Sequence, residues 1–125
     1  MKIVLSCLAA LLFITAHAQT DSIAKFKTTM HSFGKIKQHV PATTEFWFTN
    51  TGTKPLIIET AVAECGCTTP DYPKTPLGKD KSAAIKVTYN AESPGKFTKR
   101  VTVKFANIKE PVILTIDGDV EAATP

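Results

Sequence analysis

Apolar residues recur at every second position along most of this chain, in short runs separated by Gly, Pro, Asn or Asp. A period of two sends successive side chains to opposite faces of a strand, whereas a helix needs a period near 3.6, and no stretch sustains one. The chain is therefore committed to sheet. In Thr44-Glu45-Phe46-Trp47-Phe48-Thr49, Phe46 and Phe48 take the core face while Glu45, Trp47 and Thr49 face outward. Ile85, Val87 and Tyr89 repeat the pattern, as do Val101, Val103 and Phe105 against Thr98, Arg100, Thr102 and Lys104, and finally Val112, Leu114 and Ile116. Leu56 to Val62 alternates too, with Leu56, Ile58, Thr60 and Val62 on one parity and Ile57, Glu59 and Ala61 on the other.

The connections are equally legible. Asn50-Thr51-Gly52 and Glu92-Ser93-Pro94-Gly95 are turn signals. Near the start, Phe26 and Met30–Phe33 form an uneven strand that Gly34 interrupts before Ile36, as an edge strand changing partners would. Thr68 to Lys81, with three prolines and Gly78, reads as a surface loop crossing between sheets, anchored by Tyr72 and Leu77. Asp117-Gly118-Asp119 is expected to close the last strand or bulge it. About seven short strands with one strongly apolar face each predict an all-β, two-layer antiparallel sandwich, with a small barrel as the competing closure.

Residues 1–18 have the layout of a signal peptide: Lys2, the apolar run Ile3 to Ile14, and Ala16-His17-Ala18 ahead of a cleavage point. The mature chain, 19–125, is then a single domain exported to the periplasm or beyond. Cys7 lies too near the start for a lipidation signal. No later stretch is long and apolar enough for a transmembrane helix. Of 15 Lys and Arg against 11 Asp and Glu, only Lys2 leaves with the leader, so the mature charge is about +3. That is a solubility-sized charge and excludes a nucleic-acid signature.

Cys65-Gly66-Cys67 is the one cluster with chemistry in it. Two residues apart in an extended strand, the sulfurs share a face. They admit a structural role at the bend, paired or free; a reactive dithiol, which Glu64 opposes; a soft two-ligand metal site that His31, His39 or Asp71 would have to complete; or pairing with another chain. His31 and His39 otherwise read as solvated surface residues. Asp117 and Asp119 suit a turn better than a two-carboxylate active site, and no loop offers the oxygen density of a calcium site. There is no glycine-rich phosphate loop, and no cofactor is expected. Outward Trp47, with Tyr72, Lys99 and Arg100, makes the candidate contact surface, Lys99 and Arg100 belonging to a basic strand face with Lys96 and Lys104. The expected partner is another cell-envelope protein, reached through that surface or an open strand edge. The alternatives are thiol redox or metal handling at the cysteines, and carbohydrate binding on Trp47 or Tyr72.

Phe33-Gly34-Lys35-Ile36, Glu45 to Gly52, Pro55-Leu56-Ile57-Ile58, Cys65 to Pro70 and Ile85 to Tyr89, in that order, resemble the DUF1573 family over about Phe26 to Val120. Those are exported bacterial proteins, frequent in Bacteroidetes. The resemblance implies an immunoglobulin-like sandwich of the major-sperm-protein and ASPM/SPD-2/Hydin type. It implies no established enzymatic activity, and it marks Cys65-Gly66-Cys67 as a family feature without giving either cysteine a role.

Overall fold

The computed structural model of the chain describes residues 23–124, so the leader, Cys7 and Gln19–Ser22 lie outside the described residues. All regular structure within them is strand: β1 (Ala24–Phe26), β2 (Met30–Lys37), β3 (Ala42–Asn50), β4 (Ile58–Ala63), β5 (Thr68–Asp71), β6 (Ser82–Tyr89), β7 (Gly95–Phe105) and β8 (Val112–Glu121). They form two four-stranded sheets, β1-β3-β6-β5 and β2-β8-β7-β4. This is the sandwich that the alternation predicts, and the two open sheets exclude the barrel. Every strand pair is antiparallel except β2 with β8.

That exception comes from the edge strand. β1 pairs with β3 in the first sheet; the chain then steps across and β2 runs parallel to β8 in the second. The partner change does occur, but it falls between Phe26 and Met30 instead of at Gly34. Gly34 is a bulge inside β2: Ser32 and Lys35 face Asp117 and Asp119, so β2 spends one extra residue there. The extra residue shifts parity, and that is why Phe33 and Ile36, three apart, can both pack on the core. With φ near +67°, the position favours glycine.

A second bulge corrects the parity of β4. Ile58 pairs with Phe105 but Thr60 pairs with Lys104, two residues against one. Ala61 and Ala63, opposite Val103 and Val101, therefore turn toward the core, and Thr60 and Val62 turn out. The single parity expected from Leu56 to Val62 breaks at Glu59.

The stretch expected to be loop also differs. Thr68–Asp71 is strand β5, paired with β6 from Thr68↔Tyr89 to Asp71↔Lys86. The chain therefore crosses between sheets at Cys65-Gly66-Cys67, and residues 72–81 connect two neighbours of the same sheet. Leu77 anchors that connection as expected, exchanging two 2.8 Å backbone hydrogen bonds with Leu56. Asp117-Gly118-Asp119 does not end β8, which runs on to Glu121. Gly118 lets Phe97 lie flat over the strand: a Cβ there would come within 2.8 Å of the Phe97 ring and 3.0 Å of the Gly34 carbonyl.

Between the sheets lie Phe46, Phe48, Ile85, Val87, Val101, Val103, Phe105, Leu114 and Ile116, all buried. Phe105 packs edge-on against Phe48 (5.6 Å between ring centres) and tilted against Phe26 (6.3 Å), while Tyr89 stacks on Phe97 at 3.8 Å. Among the described residues Asn50 is the one fully buried side chain there that is not apolar. Its Nδ2 donates to the carbonyls of Lys54 and Leu77, both at 2.8 Å, and its Oδ1 accepts from Gly52 N–H at 2.9 Å.

Candidate functional site: a disulfide corner and the outer face of the second sheet

At the end of β4, Glu64 makes the last contact with β7. Its N–H donates to Arg100 O (3.1 Å), and its carboxylate accepts from Arg100 N–H (3.0 Å). The carboxylate that argued against a stabilised thiolate is thus engaged with the β7 backbone. Cys65 and Cys67 then form a disulfide. Their Cα atoms are 5.2 Å apart, short of the roughly 6.6 Å spanned by two residues of a strand. The bond belongs to a turn, and it sits where the chain leaves one sheet for the other. Thr68 N–H closes the turn onto Cys65 O (3.4 Å), and Asn90 N–H holds Cys67 O (2.9 Å). Both cysteines are half-buried, and Cys67 packs against the core. The Thr68 hydroxyl contacts both sulfurs, 3.7 Å from Cys65 Sγ and 3.6 Å from Cys67 Sγ.

A loop of three residues restricts the unfolded chain little. Chain-entropy reasoning gives such a bond about 1.6 kcal/mol. The variant Cys65→Ser/Cys67→Ser is accordingly expected to fold, with stability lowered by about 1–2 kcal/mol in urea titration. Loss of the folded state would instead make the bond an indispensable staple.

The other candidates fall apart in space. His31 is half-buried, edge-on to Phe33 at 4.8 Å between rings. His39 is exposed, with Nδ1 3.0 Å from Glu92 Oε2. Among the described residues no three His, Cys, Asp or Glu side chains converge as a metal site would require. Tyr72 is half-buried against the core, and Lys74 Nζ caps its ring at 3.2 Å. Trp47 is outward as expected, 47% exposed on the first sheet, but lies over a depression with Lys25, Lys27 and Thr49, apart from the one beside Tyr72. The two rings form no shared platform. Lys99 and Arg100, adjacent in β7, point to opposite faces, so the basic face loses Lys99. Lys99 has the core parity of Phe97 and Val101. The β4–β7 ladder ends at Ala63↔Val101, short of Cys65.

The register brings together a surface that alternation alone could not reveal. On the outer face of the second sheet, Val62, Thr102 and Ile113 lie side by side across β4, β7 and β8. The next row holds Arg100, Thr115 and Met30. Beyond it come Thr98, Asp117 and Ser32, then Lys96, Asp119 and Lys35. Val62 is 60% exposed, Ile113 43% and Met30 63%. The face thus grades from an apolar end, flanked by Arg100 and Lys104, to a charged one. Asp119 stands between Lys96 and Lys35 and Asp117 between Thr98 and Ser32, both within the strand and not in a turn.

The sheet edges, expected as an alternative route to a partner, are blunted. β1 has three residues and β5 four, with Pro70 among them. β2 and β4 carry the two bulges, and β2 ends in Lys35 and Lys37. Short, bulged, lysine- and proline-bearing edges resist strand addition.

Among the described residues no helix is long and apolar enough to cross a membrane. No curated protein matches the chain in sequence. Solved structures do match in fold. PapD-like domain 7 of human CEP192, an ASH domain, is similar over 82% of this chain and 87% of its own (TM-score 0.68, 10% identity). The C. elegans MSP family member WR4 matches over 80% and 99% (TM-score 0.53, 7% identity). The Vibrio cholerae VesB protease matches over 78% of this chain (TM-score 0.62, 12% identity), but the chain spans only 32% of that protein. At these identities the likeness shows the fold alone. The family model described as "Protein of unknown function (DUF1573)" matches residues 24–120, nearly the whole described domain, and the chain belongs to that family.

Proposed function

We propose that the protein is an exported module of the cell envelope that docks onto another envelope protein through the outer face of its second sheet. The observation that carries this reading is the set of exposed apolar side chains Val62 and Ile113, with Met30 one row on, on a face that no other element covers among the described residues. Contiguous exposed apolar surface costs solubility unless something covers it, and interface centres have this apolar, polar-rimmed character. Arg100 and Lys104 flank the row, and Arg100 forms no salt bridge among the described residues. The partner surface that fits has an apolar centre and a carboxylate opposite Arg100. The leader-like residues 1–18 and the disulfide both suit an oxidising compartment outside the cytoplasm.

A photo-crosslinking amino acid at position 113, expressed with the native leader, tests the proposal. One discrete heteromeric adduct is expected from position 113 and none from position 88 on the opposite sheet. Equal labelling from both positions, or none from 113, would sink it, and an adduct of twice the chain's own mass would make the occupant a second copy.

A further inference from the structure

Thr68 is 4% exposed, and among the described residues the hydrogen-bond partners of its hydroxyl are the two disulfide sulfurs. Buried hydroxyls normally find an oxygen acceptor, and a bonded sulfur is a weak one. A thiolate is a far better acceptor, because a hydrogen bond to a charged group is roughly twice as strong. The hydroxyl is therefore placed to stabilise a state that the oxidised protein does not yet contain. Gly66 is the second anomaly. Its φ is not positive, and a Cβ there would meet nothing within 4 Å, so neither backbone nor packing demands glycine. Its bareness leaves the apex of the corner open to an approaching molecule.

From these two observations we infer that the corner is a thiol–disulfide exchange site whose substrate is a dithiol protein of the thioredoxin class, with Thr68 as the donor to the leaving sulfur. Cys67 packs on the core and Cys65 lies outside that packing, so the incoming thiolate attacks Cys65 Sγ. The intermolecular S–S bond forms as the Cys65–Cys67 bond breaks, and the electron pair leaves on Cys67 Sγ, 3.6 Å from the Thr68 hydroxyl. The partner's second thiol, deprotonated, then attacks its own sulfur in the mixed disulfide and releases Cys65 as a thiolate. The two protons given up by the partner return to Cys65 and Cys67. Two electrons and two protons have moved, the partner is left as a disulfide, and the reverse sequence reduces another protein's disulfide.

The test is the rate at which reduced thioredoxin reduces the oxidised mature protein, followed by alkylation and intact mass. Wild type is expected to be reduced while folded, and Thr68→Val to slow by about tenfold, from loss of the charge-assisted hydrogen bond in the transition state. Thr68→Ser restores the rate, which a merely structural role for the methyl-bearing side chain would not produce. Gly66→Val, on open surface, keeps the melting temperature and also slows exchange with thioredoxin, while its rate with dithiothreitol changes less. A wild-type disulfide that thioredoxin leaves intact in the folded protein overturns the inference, as does Gly66→Val reacting with thioredoxin at the wild-type rate. Neither result bears on docking through the second sheet.

Discussion

Phe105→Ala is expected to lower the stability of the domain by about 3–5 kcal/mol. Phe105 is fully buried, pairs with Ile58 across the bulged end of β4, and joins the Phe48 and Phe26 rings into one aromatic cluster between the sheets. Truncation removes that area from the core and leaves a cavity that two rigid sheets cannot close. For a domain of this size the melting temperature should fall by roughly 12 °C or more. Trp47→Ala, at an exposed site of similar side-chain bulk, should cost less than about 1 kcal/mol. Comparable losses for the two variants in thermal melts would mean that the core does not lie where the register puts it.

Asn50→Ala should cost about 3 kcal/mol, though it deletes little apolar surface. The substitution strips the amide's hydrogen bonds from the Lys54 carbonyl and from Gly52 N–H, and leaves the Leu77 carbonyl with Leu56 N–H alone. Leaving such groups unpaired costs more than the net value of the bonds themselves. The damage should be directional. Leu56 and Leu77 exchange backbone hydrogen bonds beside the amide, so their N–H groups should lose hydrogen-exchange protection before those of β7 and β8. Unchanged protection at Leu56 and Leu77 would show that Asn50 does not tie the two connections together.

The interior strands were legible because each is uninterrupted and buried on one face. Phe46 and Phe48, Ile85 to Tyr89, Val101 to Phe105, and Leu114 with Ile116 all lie inward as their alternation requires. The edges were not. A bulge adds one residue to one strand, and nothing in Ile58-Glu59-Thr60 marks it, yet every side chain after it changes face. β5 escaped notice because Thr68-Thr69-Pro70-Asp71 lacks apolar alternation, as suits a strand that must not invite a further neighbour. The cysteine pair was visible, but its position as the crossover was not, because that depends on β5 being a strand. Asn50 read only as a turn residue, since its partner at Leu77 is 27 residues away. The apolar row across Val62, Thr102 and Ile113 exists only in the register of three strands, so no single stretch announces it.

The proposed contact face depends on the bulge at Glu59, which turns Val62 outward and Ala61 inward. Single cysteines at positions 61 and 62, each in the Cys65→Ser/Cys67→Ser background, put that dependence to a direct test by maleimide labelling of the folded protein. Val62→Cys is expected to react nearly as fast as an unfolded control, and Ala61→Cys to be protected until the protein unfolds. Protection at 62 with rapid labelling at 61 would mean that β4 alternates without a break, and the apolar face assigned to the second sheet would not exist.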